Sequence, residues 1–388
     1  MGSGTRMFKQ AKLILVTILV VFSALGINGY YRSAYAESAA VSAGEAVMEV
    51  TSGRLLFERN ADQTLPMAST TKILTAIIII DECDLDAVYE IPGRACGVEG
   101  SSIYLVPEEH MTIRDLLYGL MLRSGNDCAE ALALYHSNSI EKFVDAMNQK
   151  AIQIGANSSC FKNPHGLPME GHVTTAHDLA LIAAYALRNP IFSEIVSAKQ
   201  WTIPDGGCGY TRVLQNKNKM LFQYDGADGV KTGFTKKAGR CLVSSATRSG
   251  MRLVSVVLNS PQMYERSAEI LNDCFANYSL KKLFDASSGY YSIPTQTKYK
   301  NCIVGCEQDF FYPLQEYELQ EVRIECNLPQ NIVLPVKKGD CFGKLDIYFR
   351  NQLIFSQKII SIKDVDYSYT DILRDVIDKF LIRGSECG

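Results

Sequence analysis

The sequence predicts an α+β fold: one sheet flanked by helices, then a small β-rich domain and a terminal amphipathic helix. Three observations predict it. Two short strand patterns at 46–50 and 55–58 precede a long block of helical patterns, and strand patterns return at 230, 241–243 and 253–257. Strands on both sides of a helical block read as one sheet assembled from the two ends of a domain. Beyond about 290 the texture changes to apolar alternation, and from 366 onward helical period resumes.

The elements follow in order. Residues 1–36 read as a signal peptide: Arg6, Lys9 and Lys12 form a basic region, an apolar run covers 13–27, and Ala34-Tyr35-Ala36 offers a small-residue cleavage site before Glu37. A retained anchor is the competing reading, but the run is short of the about 20 residues a span needs. The globular part is expected to be exported. Strand patterns 46–50 and 55–58 join through Thr51-Ser52-Gly53, and Pro66 closes the next loop. An apolar helix begins near Ser69, carrying Ile73, Leu74, Ile77, Ile78 and Ile80. Thr112 with Asp115, and Thr175 with Asp178, are capping patterns ahead of further helices. Helical patterns also cover 127–133 and 141–154, and another near 265–274 closes the domain. Leu345, Ile347 and Phe349 alternate ahead of a turn at Asn351-Gln352, with a second run over 353–360. In the tail, Ile372, Leu373, Val376, Ile377, Phe380 and Leu381 share a face, while Asp371, Asp375 and Asp378 offset Arg374, Lys379 and Arg383. The expected organisation is a signal peptide at 1–36, a catalytic domain at 37–283, a β-rich domain at 290–365 and a helical tail at 366–388.

Composition bounds the function. The 388 residues are 47% hydrophobic and 21% charged, ordinary for a globular protein, and the formal charge of −3 gives no reason to expect a nucleic-acid partner. The twelve cysteines are scattered, so mostly free thiols, or one or two disulfides, is the expectation. Cys128 and Cys241 sit inside apolar patterns as small hydrophobes. Cys302 and Cys306 invite a metal reading, but neither Cys326 nor Cys341 has a paired partner, so no metal and no cofactor is expected. The five histidines read as structural: no G-x-S-x-G elbow accompanies any serine.

The chemistry resides in three short motifs in one order: Ser69-Thr70-Thr71-Lys72, Ser124-Gly125-Asn126 and Lys231-Thr232-Gly233. S-x-x-K alone means little, since the spacing also occurs at Ser139/Lys142, where Ser139 reads as a helix cap, and at Ser159/Lys162 and Ser279/Lys282. Only Ser69 follows a strand pair and opens a strongly apolar helix. Residues three apart share a helix face, which brings Lys72 to the Ser69 hydroxyl. Apolar neighbours would lower the pKa of Lys72 toward general-base duty. A plain N-cap is the competing reading of Ser69. Ser124 and Asn126 could likewise cap a helix, or serve as proton relay and substrate-amide ligand, with Gly125 permitting close approach. Lys231-Thr232-Gly233 follows Asp228-Gly229-Val230 as an edge strand would: Gly233 would clear room for a substrate strand, Thr232 could donate to a terminal carboxylate and Lys231 add positive potential, while the competing reading is an exposed edge strand protected by lysine.

Together these motifs resemble the serine penicillin-binding proteins, and within them the low-molecular-mass D-alanyl-D-alanine carboxypeptidases. Two longer stretches resemble that branch: Asn163-Pro164-His165-Gly166-Leu167-Pro168, and Asp228-Gly229-Val230-Lys231-Thr232-Gly233-Phe234-Thr235. The resemblance is strong over about 40–280 and looser beyond. It implies a β-lactamase/transpeptidase-like catalytic domain with an antiparallel sheet. It also implies removal of the terminal D-alanine from the peptidoglycan stem pentapeptide through an acyl-enzyme on Ser69. Lys72 would be the base and Ser124 the proton relay. The N–H groups of Ser69 and Phe234 would form the oxyanion hole. Asn126, Lys231, Thr232 and Gly233 would bind substrate, with Lys217 or Lys219 as a candidate helper. β-Lactams would acylate the same serine. The tail over 366–388 would lie on a membrane surface, or else pack on its own β-rich domain. The expected location is the cell wall or the outer face of the cytoplasmic membrane. A class A β-lactamase is disfavoured because no E-x-x-L-N stretch lies between the second and third motifs. An endopeptidase on cross-links, or a penicillin-binding adaptor without turnover, are the alternatives.

Overall fold

A computed structural model describes residues 42–297 and 299–385, with side chains described through 377. The export segment read over 1–36 lies outside the described residues, as do the side chains of Phe380 and Leu381. The chain divides into two compact units, one of residues up to 246 with 253–271, the other of 247–252 and 272 onward.

In the first unit, strands β1 (Gly44–Glu49) and β2 (Leu55–Arg59) precede helix α1 (Lys72–Glu82). The short strands β3 (Val88–Glu90) and β4 (His110–Thr112) pair with each other. Helices α2 (Ile113–Tyr118), α3 (Asn126–Ser137), α4 (Ile140–Ile154), α5 (Ala176–Leu187) and α6 (Pro190–Ser197) follow. A hairpin of β5 (Gln200–Ile203) and β6 (Arg212–Gln215) and a short helix α7 (Met220–Gln223) lead into β7 (Ala227–Thr235), β8 (Gly239–Arg248) and β9 (Met251–Leu258). Helix α8 (Met263–Asn277) ends the run. The main sheet has the order β2-β1-β9-β8-β7, with β1 antiparallel to β2 and β9, and β7 antiparallel to β8. N-terminal and C-terminal strands therefore share one sheet, as the flanking strand patterns predict.

Chemistry along the chain explains the pieces. Every residue of β1 is buried, including Glu45, because the strand lies inside the sheet. A buried carboxylate needs charged partners, and Glu45 has Arg59 at 2.7 Å and Arg266 at 2.8 Å. Helix α1 is buried from Lys72 to Ile80, and a helix apolar all round is a core helix rather than a surface one. Three caps act as their sequences predict: Thr112 accepts from Asp115 N at 3.0 Å, Thr175 from Asp178 N at 3.0 Å and Ser139 from Lys142 N at 3.4 Å. The last of these assigns a purely structural role to a second S-x-x-K.

The second unit carries a five-stranded sheet in the order β11-β12-β16-β15-β14, built from β11 (Tyr291–Pro294), β12 (Asn301–Gly305), β14 (Val322–Asn327), β15 (Cys341–Phe349) and β16 (Gln352–Ser361). A separate pair joins β10 (Ser279–Phe284) to β13 (Phe310–Leu314). Residues 279–283, read from sequence with the catalytic domain, thus pair within the β-rich part. Leu345, Ile347 and Phe349 are buried as their alternation predicts, the first two beside Cys302, Val304 and Ile359 and the third with Tyr312 and Leu314.

Helix α9 (Tyr369–Ser385) begins on a polar tie. Lys300 Nζ donates to Asp366 O at 2.8 Å and to Asp371 Oδ2 at 2.5 Å, and Asp371 also accepts from the N–H and hydroxyl of Ser368. Asp371 is buried. Ile372, Leu373, Val376 and Ile377 are exposed instead. Lys300 and Ser368 pull the Asp371 carboxyl down to about 2. A depressed carboxylate contributes stability above its unfolded pKa and loses it as pH falls through the folded value, so the tie should hold down to roughly pH 4 and release toward pH 2. Hydrogen exchange over 369–377 should accelerate in Asp371→Asn at pH 7 and in the parent only in strong acid.

Candidate active site

The nucleophile turn is set up by local strain. A single 3₁₀ turn, Ala68–Thr71, precedes α1. Ala68 has φ +49°, a left-handed conformation that non-glycine residues adopt only when surroundings impose it. The surroundings are identifiable. His172 Nδ1 accepts the Lys162 N–H at 2.9 Å, so its Nε2 carries the proton toward Thr71 Oγ1 at 2.8 Å. Thr71 in turn donates to Ala68 O at 2.8 Å. Burial lowers the His172 pKa to about 4, which keeps the ring neutral and this chain of bonds intact at neutral pH.

Lys72 Nζ lies 3.2 Å from Ser69 Oγ, 2.7 Å from Asn126 Oδ1 and 2.6 Å from His165 O. The side chain is fully buried; burial and then the neighbouring Lys231 hold its pKa well below the lysine range. A neutral amine has two N–H bonds and one lone pair. The two shorter contacts are to carbonyl acceptors and take both N–H bonds, so the lone pair faces the Ser69 hydroxyl. That is the geometry of a general base.

Strand β7 closes the other side. A Cβ on Gly233 would lie 3.1 Å from both Met67 O and Ser69 N, so glycine permits the strand to run against the nucleophile turn. Lys231 is buried, donates to Thr232 O at 3.0 Å, and is lowered to about 7 by burial and then by Lys217. Phe234 follows, largely exposed, with the Arg240 guanidinium 6.0 Å from its ring centroid. Lys217 Nζ reaches Ser101 Oγ at 3.4 Å, and burial lowers its pKa with help from Arg123.

Ser124 and Asn126 do not cap α3 with their side chains: Gly125 is the N-cap residue. Ser124 is buried with φ +64°, at the end of a π turn over Gly119–Arg123. Asn126 is bonded to Lys72 through Oδ1 and to Glu99 O through Nδ2 at 2.5 Å, which leaves one amide N–H for a ligand. Hydrogen bonds thus join Ser69, Lys72 and Asn126 directly. Gly233 abuts the Ser69 turn, and Lys231 acts on Lys72 through its charge. The carbonyl of His165 was invisible to residue-type reasoning, because a backbone oxygen carries no sequence signal; the turn around it was the only clue.

A pH prediction follows. Free-enzyme kcat/KM should rise as Lys72 deprotonates and fall above about 7 as Lys231 loses the charge that attracts a carboxylate. In kcat the alkaline limb should move upward, because a bound carboxylate favours charged Lys231. Lys231→Arg should abolish that limb; persistence of the limb would remove Lys231 from the assignment.

The class defined here is a serine hydrolase in which a buried lysine amine lies against the serine hydroxyl. The chain matches the D-alanyl-D-alanine carboxypeptidase family over residues 32–262 and the penicillin-binding protein 5 C-terminal domain over residues 278–367. Among curated relatives, D-alanyl-D-alanine carboxypeptidase DacA of Haemophilus influenzae is 31% identical, covering 82% of this chain and 84% of its own. DacF of Bacillus subtilis is 29% identical over the same shares. The crystal structure of penicillin-binding protein 5 from Haemophilus influenzae aligns with a TM-score of 0.69 at 28% identity, covering 84% of this chain and 98% of that one. The chain belongs to the D-alanyl-D-alanine carboxypeptidase family.

Proposed function

We propose that this chain removes the terminal D-alanine from peptidoglycan stem peptides through an acyl-enzyme on Ser69. The observation that carries the reading is the buried Lys72 amine, anchored by Asn126 Oδ1 and His165 O and lying 3.2 Å from Ser69 Oγ. Lys72 takes the hydroxyl proton as Ser69 attacks the D-Ala-D-Ala carbonyl. The N–H groups of Ser69 and Phe234, on the two elements that Gly233 brings together, receive the oxyanion. Ser124 relays the proton to the leaving D-alanine. Lys231 and Thr232 hold its carboxylate, and the remaining Asn126 N–H takes a substrate carbonyl. Water then completes the cycle. A β-lactam enters the same path and leaves a slowly hydrolysed adduct. Export by the 1–36 segment, and contact of the exposed apolar residues of α9 with a membrane surface, belong to the same reading, since the substrate is extracytoplasmic.

Incubation with a fluorescent penicillin, peptide mapping of the adduct, and D-alanine release from a diacylated Lys-D-Ala-D-Ala peptide test it. A single adduct on Ser69 with D-alanine release supports a carboxypeptidase. An adduct without release from this peptide, but with cleavage of cross-linked dimers, points to an endopeptidase. No adduct on folded protein sinks the reading.

A further inference from the structure

One irregular segment, 97–109, has no helix or strand of its own, yet two of its carbonyls are bonded to the residue that anchors Lys72. Asn126 N donates to Ser101 O at 2.7 Å, and Asn126 Nδ2 to Glu99 O at 2.5 Å. A Cβ on Gly100, whose φ is +96°, would lie 2.8 Å from Asn126 Nδ2, so the segment is pressed against that amide. What holds such a segment in place lies just beyond it, in two buried charged side chains that no step of the proposed chemistry uses.

Asp127, with no exposed surface, collects donors from one side. Its carboxylate accepts the Ser102 hydroxyl at 2.5 Å, the Ile103 N–H at 3.1 Å, the Leu105 N–H at 3.1 Å and its neighbour Cys128 N–H at 2.9 Å. Arg212 collects acceptors from the other side. Its guanidinium donates to Ile103 O at 3.0 Å and Tyr104 O at 2.8 Å, and it pairs with the buried Glu109 carboxylate at 2.9 Å. The two groups grip the same stretch through opposite polarities: carboxylates only accept and guanidinium only donates. Between them Tyr104 is forced to φ +62°, its N–H bonded to Ser102 Oγ at 2.8 Å and its ring largely exposed. Backbone strain of this kind persists only where the surroundings over-determine it.

We propose that Asp127 and Arg212 are positioning residues that fix the 99–105 segment, and through its Glu99 and Ser101 carbonyls the orientation of the Asn126 amide toward the substrate. The proposal rests on the reading of Asn126 as a ligand of the substrate backbone. The grip reaches Lys72 only through Asn126 Oδ1, and Lys72 keeps His165 O as a second anchor, so the larger effect falls on substrate binding.

The test is steady-state kinetics on a D-Ala-D-Ala peptide, single-turnover acylation by a penicillin, and thermal melting, using the full chain. Asp127→Asn replaces an all-acceptor group with one whose NH2 faces N–H donors. Ser102→Ala removes one of the four bonds to Asp127, and the Tyr104 N–H bond to Ser102 Oγ, without stranding a charge, so it serves if Asp127→Asn does not fold. Peptide KM should rise about tenfold in Asp127→Asn and about threefold in Ser102→Ala, with kcat changed much less. Arg212→Gln should reproduce the KM rise, and the double variant with Asp127→Asn should fall short of the product of the single effects, since both act on one segment. Unchanged KM in folded variants, a lowered melting temperature with normal KM, or fully multiplicative effects would each overturn the proposal. Failure of the wild type to label with penicillin would instead remove the reading on which it rests.

Discussion

Lys72→Arg is expected to acylate with penicillin about a thousandfold more slowly than the parent, or worse, while remaining folded. The substitution separates charge from basicity. Lys72 occupies a fully buried position between two carbonyl acceptors and close to a second buried lysine; burial first, and then that lysine, favour its neutral form. Arginine keeps N–H donors for Asn126 Oδ1 and His165 O but cannot give up its proton at working pH. If Lys72 contributed only positive potential near the oxyanion, arginine would be tolerated within about tenfold. If it is the base, the rate should not recover as pH is raised, because no lone pair becomes available. Single-turnover labelling from pH 6 to 10 distinguishes these outcomes, and near-parental acylation would transfer the base role elsewhere, with Ser124 and Lys231 the remaining groups. The effect should differ in kind from Lys231→Arg, which keeps the carboxylate anchor charged and alters the pH limb rather than the acylation maximum.

The contrast between Lys72 and its surroundings also marks how far the sequence can be read. The periodicity of 73–80 and the three-residue spacing from Ser69 made the Lys72 pairing legible, and the structure closes it at 3.2 Å even though the first turn is 3₁₀ rather than α. Thr112, Thr175 and Ser139 were legible as caps because capping is local. What pattern could not show is anything built from backbone atoms or from residues distant in sequence. The His165 carbonyl lies 93 residues from Lys72, and the Asp127–Arg212 grip joins segments 85 residues or more apart onto a stretch with no periodicity. The burial of Asp371 was illegible for a related reason: Lys300, which draws it inward, comes from a loop 71 residues away. Cys128 and Cys241 were read correctly because burial of a free thiol follows the apolar pattern around it, and burial pushes both thiols upward.

Gly166→Ala should be among the most damaging single-atom additions to this chain. Gly166 has φ +90°, and a Cβ built there would lie 2.0 Å from Ala68 O and 2.9 Å from Thr71 Oγ1. Neither atom can retreat cheaply. Ala68 O is the acceptor of the Thr71 hydroxyl, which is itself bonded to His172, and Ala68 already sits at a positive φ. Relief by moving Gly166 is opposed by Asn163, whose Oδ1 accepts the Gly166 N–H at 2.7 Å, and by His165, whose carbonyl is bonded to Lys72. The added methyl therefore combines an unfavourable backbone region with a clash against main chain, together about 3 kcal/mol or more. Because the displaced atom immediately precedes Ser69, the loss should appear in chemistry before it appears in unfolding. Molecules that survive purification should acylate at least about a hundredfold more slowly, since displacement of a reacting group by about 1 Å costs that much. Gly171→Ala supplies the control: it too has a positive φ, +73°, but its nearest neighbour would be the flexible Lys162 Cε at 3.4 Å. That variant should lose some melting temperature and keep its acylation rate. Equal kinetic damage in both would mean that backbone strain alone, and not pressure on the nucleophile turn, accounts for the Gly166 effect.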